Sequence, residues 1–180
     1  MVKAIGVFCS AAEHIDASFF TAAAEVGRWM GRRGLTLVYG GARMGLMEAT
    51  AKAVKEAGGL VTGVVPESLC QRGVVSECID VTVPCRNLAE RKEIMIAQSD
   101  VLLALPGGIG TVDEVFHTMG SATIGEHHKR VVLYDVNDFW DECMLMLRKM
   151  ERMGFLRAPL RDYVLTAHSI EQLEEICEKL

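Results

Sequence analysis

The 180-residue chain has no Cys-x-x-Cys pair, no apolar run as long as a membrane span, and no excess of basic residues. Each absence removes a class of protein. The six cysteines, Cys9, Cys70, Cys78, Cys85, Cys143 and Cys177, stand apart from one another, and none has a histidine at zinc-finger spacing, so no metal site is expected. A bilayer span takes about 20 consecutive apolar residues. The first apolar stretch, Met1 to Phe8, is far shorter and runs straight into polar sequence. No signal peptide and no membrane partner are read from it, and a cytoplasmic protein with unpaired, mostly buried thiols is expected. Lys and Arg number 19 against 24 Asp and Glu, for a formal net charge of −5. That balance argues against nucleic acid as a partner, because neutralising phosphates takes clustered Lys and Arg. Aromatic residues are only 6% of the chain, and no repeat or low-complexity tract interrupts it.

What is present reads as one globular domain over residues 1–180. The chain is 50% hydrophobic and 24% charged, and a domain of this length buries roughly 70% of its unfolded surface without disulfide or metal. Short apolar runs alternate with helical stripes. Strands are expected at Ile5–Cys9, Leu35–Tyr39, Leu60–Val65, Ile79–Val83, Val101–Leu105, Arg130–Tyr134 and, short, at Tyr163–Thr166. Helices are expected over Ala17–Met30, around Met47–Val54, from an Asn87 cap through Gln98, after Gly110, over Asp138–Glu151 and from Ser169. Residues 67–78 read as loop with a helical turn. This alternation predicts an α/β fold, a Rossmann-like doubly wound parallel sheet with helices on both faces.

In such sheets ligands bind beyond the carboxyl ends of the strands, where the strand order reverses. Glycine, 17 residues in all, clusters at two of those ends: Gly40-Gly41 with Gly45, and Gly107-Gly108-Ile109-Gly110-Thr111. The second cluster joins a buried strand directly to a helix. Glycines let that backbone approach a ligand, the free N–H groups and dipole at the helix start favour an anion such as phosphate, and the Thr111 hydroxyl adds a donor. No Gly-Lys-Ser/Thr follows either cluster, and the first strand–helix turn, Cys9-Ser10-Ala11-Ala12-Glu13, has no glycine. A P-loop and a dehydrogenase-type dinucleotide site are therefore disfavoured. Ser10 of that first turn joins the candidate ligand contacts.

Two charged groups stand near the phosphate candidate. Glu114 falls in the first turn of the helix opened by Gly110-Thr111, with Asp113 next to it as an alternative; alone, either reads as a helix-dipole carboxylate. Glu90-Arg91-Lys92 lies on the preceding helix, where Arg91 or Lys92 shares a face with Leu88 and Met95. Arginine suits phosphate or carboxylate through its planar fork. His117 is a weaker candidate for acid–base work. Glu126-His127-His128-Lys129-Arg130 reads as a solvated connection. The methionines of the helix after Asp138 read as core filling, some of them free to face a partner subunit.

Pro106-Gly107-Gly108-Ile109-Gly110-Thr111-Val112-Asp113-Glu114 resembles the PGGxGTxxE signature of the LOG family, the cytokinin riboside 5′-monophosphate phosphoribohydrolases often labelled lysine decarboxylases. Val7-Phe8-Cys9, Val38-Tyr39-Gly40-Gly41 with Gly45-Leu46-Met47, Gly63-Val64-Val65-Pro66, Glu90-Arg91-Lys92 with Met95, Ser99-Asp100 and Gly154-Phe155-Leu156 agree with it in order. The resemblance implies a homodimer that hydrolyses the N-glycosidic bond of an adenosine 5′-monophosphate, plain or N6-modified, to free base and ribose 5-phosphate, with no cofactor. Arg91 and Glu114 would be the catalytic pair, and Lys92, Asp113, Ser10, Gly40, Gly41 and the Gly107–Thr111 loop would hold the nucleotide. The chain departs from the family pattern at Ser10-Ala11-Ala12, Ala42, Glu48, Gly73 and Gly120-Ser121. Two other readings stand beside the enzyme: a nucleotide-binding or sensor module with little turnover, and a pyridoxal-phosphate decarboxylase, for which no lysine sits in a convincing cofactor pocket.

Overall fold

A computed structural model describes residues 2–180. Seven strands form one all-parallel sheet in the order β4-β3-β2-β1-β5-β6-β7. They are β1 Ala4–Phe8, β2 Thr36–Tyr39, β3 Leu60–Pro66, β4 Val81–Cys85, β5 Val101–Ala104, β6 Val131–Tyr134 and β7 Val164–Ala167. The helices are α1 Ala17–Arg32, α2 Gly45–Glu56, α3 Glu67–Gln71, α4 Leu88–Gln98, α5 Ile109–Thr123, α6 Asp141–Arg152 and α7 Ile170–Lys179. The expected doubly wound α/β sheet is the fold.

The middle strands are covered on both faces, so they read as unbroken apolar runs. Every residue of β5 (Val-Leu-Leu-Ala) and of β6 (Val-Val-Leu-Tyr) is buried. One face packs against α1, α2 and α7 through Ala23, Val26, Met30, Leu46, Val54 and Leu173. The other packs against α4, α5 and α6 through Met95, Val115, Met119 and Leu147. The chain runs outward from β1 to β4 on one side, then returns to β5 beside β1. The order therefore reverses between β1 and β5, and the turns leaving those two strands flank the crevice where such sheets take ligands.

Local chemistry sets the helix starts. Asp16 accepts from the Ser18 N–H, Asn87 from Glu90 N–H and Ser169 from Gln172 N–H, each satisfying a donor the first turn leaves free. Some expected element starts move. α6 begins at Asp141, not Asp138, because Asn137 and Asp138 both take left-handed backbone and Asp135 Oδ1 accepts from the Trp140 N–H just before the helix. β4 begins two residues late: the Ile79 side chain lies over Gly63, and the Asp80 carboxylate accepts from the Val61 N–H and from Lys55 Nζ, so both serve as anchors at the sheet edge. Residues 67–78 include the short helix α3 and an isolated bridge from Val75 to Ala42.

Candidate active site

The turn from β5 into α5 carries the best-formed ligand features. Gly108 caps α5 with no side-chain hydrogen bond, so the N–H groups of Ile109, Gly110 and Thr111 start the helix without intrahelical partners. Added methyl groups at Gly108 or Gly110 would meet nothing, so this backbone faces open space. Gly107 is different: a Cβ there would lie 2.1 Å from Thr111 Oγ1, so only glycine lets Thr111 fold back over the turn. The Ile109 side chain is 90% exposed and turned outward.

Three loops are tied together at Ser10. Its N–H donates to the Pro106 carbonyl at 3.3 Å, its carbonyl accepts from the Leu46 N–H at 2.9 Å, and its Oγ accepts from the Ala12 N–H at 3.0 Å. Gly45 sits so close to the Ser10–Ala12 backbone that a Cβ would be 2.5 Å from the Ala11 carbonyl carbon. The turns after β1, β2 and β5 thus form one rim.

Under that rim α4 and α5 are joined by two side-by-side ion pairs. Arg91 Nη2 donates to Glu114 Oε1 at 2.9 Å, with side chains 12% and 4% exposed. Lys92 Nζ donates to Asp113 Oδ2 at 2.7 Å, and that Asp113 faces solvent. The structure thus distinguishes the two carboxylates, Glu114 buried and Asp113 exposed, while Arg91 and Lys92 are equally covered and differ in which carboxylate they meet. Glu114 stands in the second turn of α5, since the helix opens at Ile109, two residues earlier than the first-turn expectation needs.

Burial pushes the Glu114 carboxyl up from the ordinary carboxylate range to about 7; the charge and hydrogen bond of Arg91 oppose the shift. The Arg91 guanidinium lies on Gly40, where a Cβ would be 3.0 Å from Nη1, and its Nε is buried with no hydrogen-bond partner among the described residues. A cavity of about 240 Å³ opens here. Arg91, Glu114, Thr111, Gly108 and Gly110 line it on one side, and Cys9, Ser10, Ala11 and Met47 on the other.

Of the residues expected from sequence, Arg91, Glu114, Ser10, Gly108, Gly110 and Thr111 meet at this cavity. Gly40 contributes by seating Arg91. Gly41 takes φ +77°, packs toward Val65 and accepts from the Ser76 N–H, so it shapes the loop away from the cavity. His117 does not line the cavity, and His127 is engaged with Ser121 and the Lys129 N–H. Sequence reading passed over Cys9, Ala11 and Met47; Cys9, the first residue after β1 at the reversal point, carried a positional signal. Its thiol is fully buried, and burial with the nearby Glu114 raises its pKa, so it stays neutral.

Residues 47–180 match the model of a family described as "Possible lysine decarboxylase". The chain is 34% identical over 171 residues to the cytokinin riboside 5′-monophosphate phosphoribohydrolase LOG of Oryza sativa subsp. japonica, covering 95% of this chain and 71% of that protein. A cytokinin riboside 5′-monophosphate phosphoribohydrolase of Arabidopsis thaliana is 31% identical over 177 residues, covering 98% and 83%. The chain belongs to the LOG family. Solved structures extend the likeness of fold beyond the LOG proteins. The molybdenum cofactor binding protein of Rippkaea orientalis superimposes with a TM-score of 0.76 at 24% identity, covering 99% of this chain and 97% of that one. The molybdenum cofactor carrier protein of Chlamydomonas reinhardtii gives 0.75 at 22% identity, covering 99% and 98%. LOG membership and the shared fold stand on these two kinds of likeness respectively.

Proposed function

We propose that this LOG-family protein is a nucleoside 5′-monophosphate phosphoribohydrolase, cleaving the N-glycosidic bond of adenosine 5′-monophosphate or an N6-modified form to free base and ribose 5-phosphate. The observation that carries the reading is the buried Glu114 carboxyl, with a pKa near 7 and bonded to Arg91, inside a cavity whose roof is the open start of α5. A binding site for phosphate alone has no use for a carboxylate there.

The phosphate takes the unpartnered N–H groups of Ile109 to Thr111 and the Thr111 hydroxyl, with Lys92 adding positive charge from α4. The ribose then lies toward Glu114. Breaking the bond between C1′ and the base nitrogen leaves an oxocarbenium-like centre, which an ionised carboxylate stabilises directly or captures covalently. The electron pair of the broken bond leaves with the base, which takes up a proton, and water supplies the hydroxyl at C1′. Arg91 holds Glu114 in place and offers its remaining donors to developing negative charge. A decarboxylase acting through a lysine imine fits less well, because no lysine lines the cavity and Lys92 is engaged by Asp113. The protein is further expected to act as a homodimer.

The test is a panel of nucleoside monophosphates, including N6-prenylated AMP, followed by chromatography for free base. Glu114→Gln is expected to lower kcat by about a hundredfold or more. Base release by Glu114→Gln at the parent rate removes the role given to this residue. Binding of nucleotides by the parent without any release assigns a binding module instead.

A further inference from the structure

The Gly107–Gly108 turn has a cavity on each side. One holds Arg91 and Glu114. The other, about 260 Å³, lies toward α1 and the β6–α6 connection, walled by Ile15, Phe19, Pro106 and Phe139, with Ala12 at its edge. Ser10 and Gly108 line both. The second cavity exceeds the roughly 150 Å³ that encloses a benzene ring, and no charged side chain lines it.

Its aromatic wall is held rigidly. Asn137 and Asp138 take φ +54° and +58° in succession, Asn137 Nδ2 donates to Ser18 Oγ at 2.8 Å, and the Trp140 N–H donates to Asp135 Oδ1 at 3.0 Å. Between these anchors the Phe139 ring stands edge-on to Phe19, with centroids 6.1 Å apart, and to Trp140, at 5.0 Å. Phe139 is nonetheless 40% exposed. Strained backbone that fixes a half-exposed ring beside a ligand turn fits a ligand contact better than core packing.

We infer that this second cavity is a subsite for an apolar or aromatic group esterified to the phosphate of the bound nucleotide. The inference rests on the reading of the α5 start as the phosphate site. With C1′ beside Glu114, the ester oxygen to ribose points into the first cavity. The other phosphate oxygens then face Gly108, the residue common to both cavities. A substituent on the base would have to pass the phosphate to arrive there, whereas a substituent on the phosphate enters directly. The wall of Ile15, Phe19, Pro106 and Phe139 carries no charged side chain and suits an uncharged, flat or aliphatic group.

The experiment is calorimetric titration with ligands that cannot turn over: the C-nucleoside counterpart of AMP, whose glycosidic link is carbon–carbon, the phenyl ester of its phosphate, and its N6-isopentenyl form. Phe139→Ala is expected to weaken the phenyl ester roughly tenfold, the scale of losing one aromatic contact surface, and to leave the unesterified nucleotide unchanged. Ala12→Phe, which fills the cavity from an exposed position, is expected to do the same without touching the core. The inference is overturned if neither substitution affects the phenyl ester, if both nucleotides weaken equally, or if the N6-isopentenyl form alone is affected. Selective loss of the ester together with no base release from AMP upholds the subsite and removes only the hydrolase reading. No binding of any of the three removes both.

Discussion

Glu114 is held between two opposed effects. Burial disfavours its charge, and Arg91 at 2.9 Å favours it. Burial wins, so the folded protein holds a proton on Glu114 up to about pH 7 where the unfolded chain releases it near 4.5. The folded state binds the extra proton between those two values, so stability falls as pH rises through that window. Glu114→Gln has no such titration. Urea denaturation of parent and variant at pH 5 and pH 8 is therefore expected to show the parent losing about 2 kcal/mol more than the variant over that interval. Parallel curves would mean that Glu114 is ionised throughout. The rate follows the same group: if the carboxylate form is the reactive one, kcat/KM rises with pH through a midpoint near 7. Helix periodicity leaves Arg91 and Lys92, and Glu114 and Asp113, as alternatives, since neighbours on a helix differ only in which way they point; the resemblance of the signature is what singles out Arg91 and Glu114.

Among the elements, the closest packing is between α1 and α2, and glycine makes it possible. A Cβ on Gly27 would be 2.5 Å from the Thr50 carbonyl oxygen, and one on Gly31 would be 2.5 Å from Ala57 Cβ and 2.7 Å from the Val54 carbonyl oxygen. This contact holds α2, and with it Gly45 and Met47, against the rim of the cavity. Two effects compete in Gly27→Ala. Helix propensity gains up to about 1 kcal/mol, while forcing a methyl group against backbone costs about 1–3 kcal/mol, because neither helix can yield locally. The overlap wins, and a net loss of about 1–2 kcal/mol in urea denaturation is expected; a more stable variant would show that α1 and α2 slide freely. Gly27 lies on the buried face of α1, and only its packing against Thr50 and Ala53 shows why it is glycine. The start of α6 was misplaced for a related reason: Asn137 and Asp138 look like helix-starting residues, and only the left-handed backbone they adopt reveals that the helix opens three residues later.

Across the whole molecule, the alternation of apolar strands and amphipathic helices was enough to recover the sheet, because burial on both faces forces that pattern on the middle strands. What it did not reveal is which apolar side chains stay outside. The methionines of α6 and its C-terminal cap divide: Met144 and Met150 pack against the core, whereas Met146 and Met153 are 42% and 61% exposed. Leu145 and Phe155 are exposed beside them at 61% and 72%. Single exposed apolar residues are ordinary, but four on one helix and the turn that follows form a patch suited to contact with another chain. A second copy of this protein is the occupant expected here. In a two-fold dimer the same patch meets itself, so one substitution acts on both sides of the contact. Light scattering at micromolar concentration is expected to give twice the 19.7 kDa chain mass for the parent, and Leu145→Glu with Met146→Glu, which sets four carboxylates against one another in a desolvated contact, is expected to give the single-chain mass. A parent that scatters as one chain would sink the dimer itself; a double variant that remains paired would move the contact to another face of the molecule.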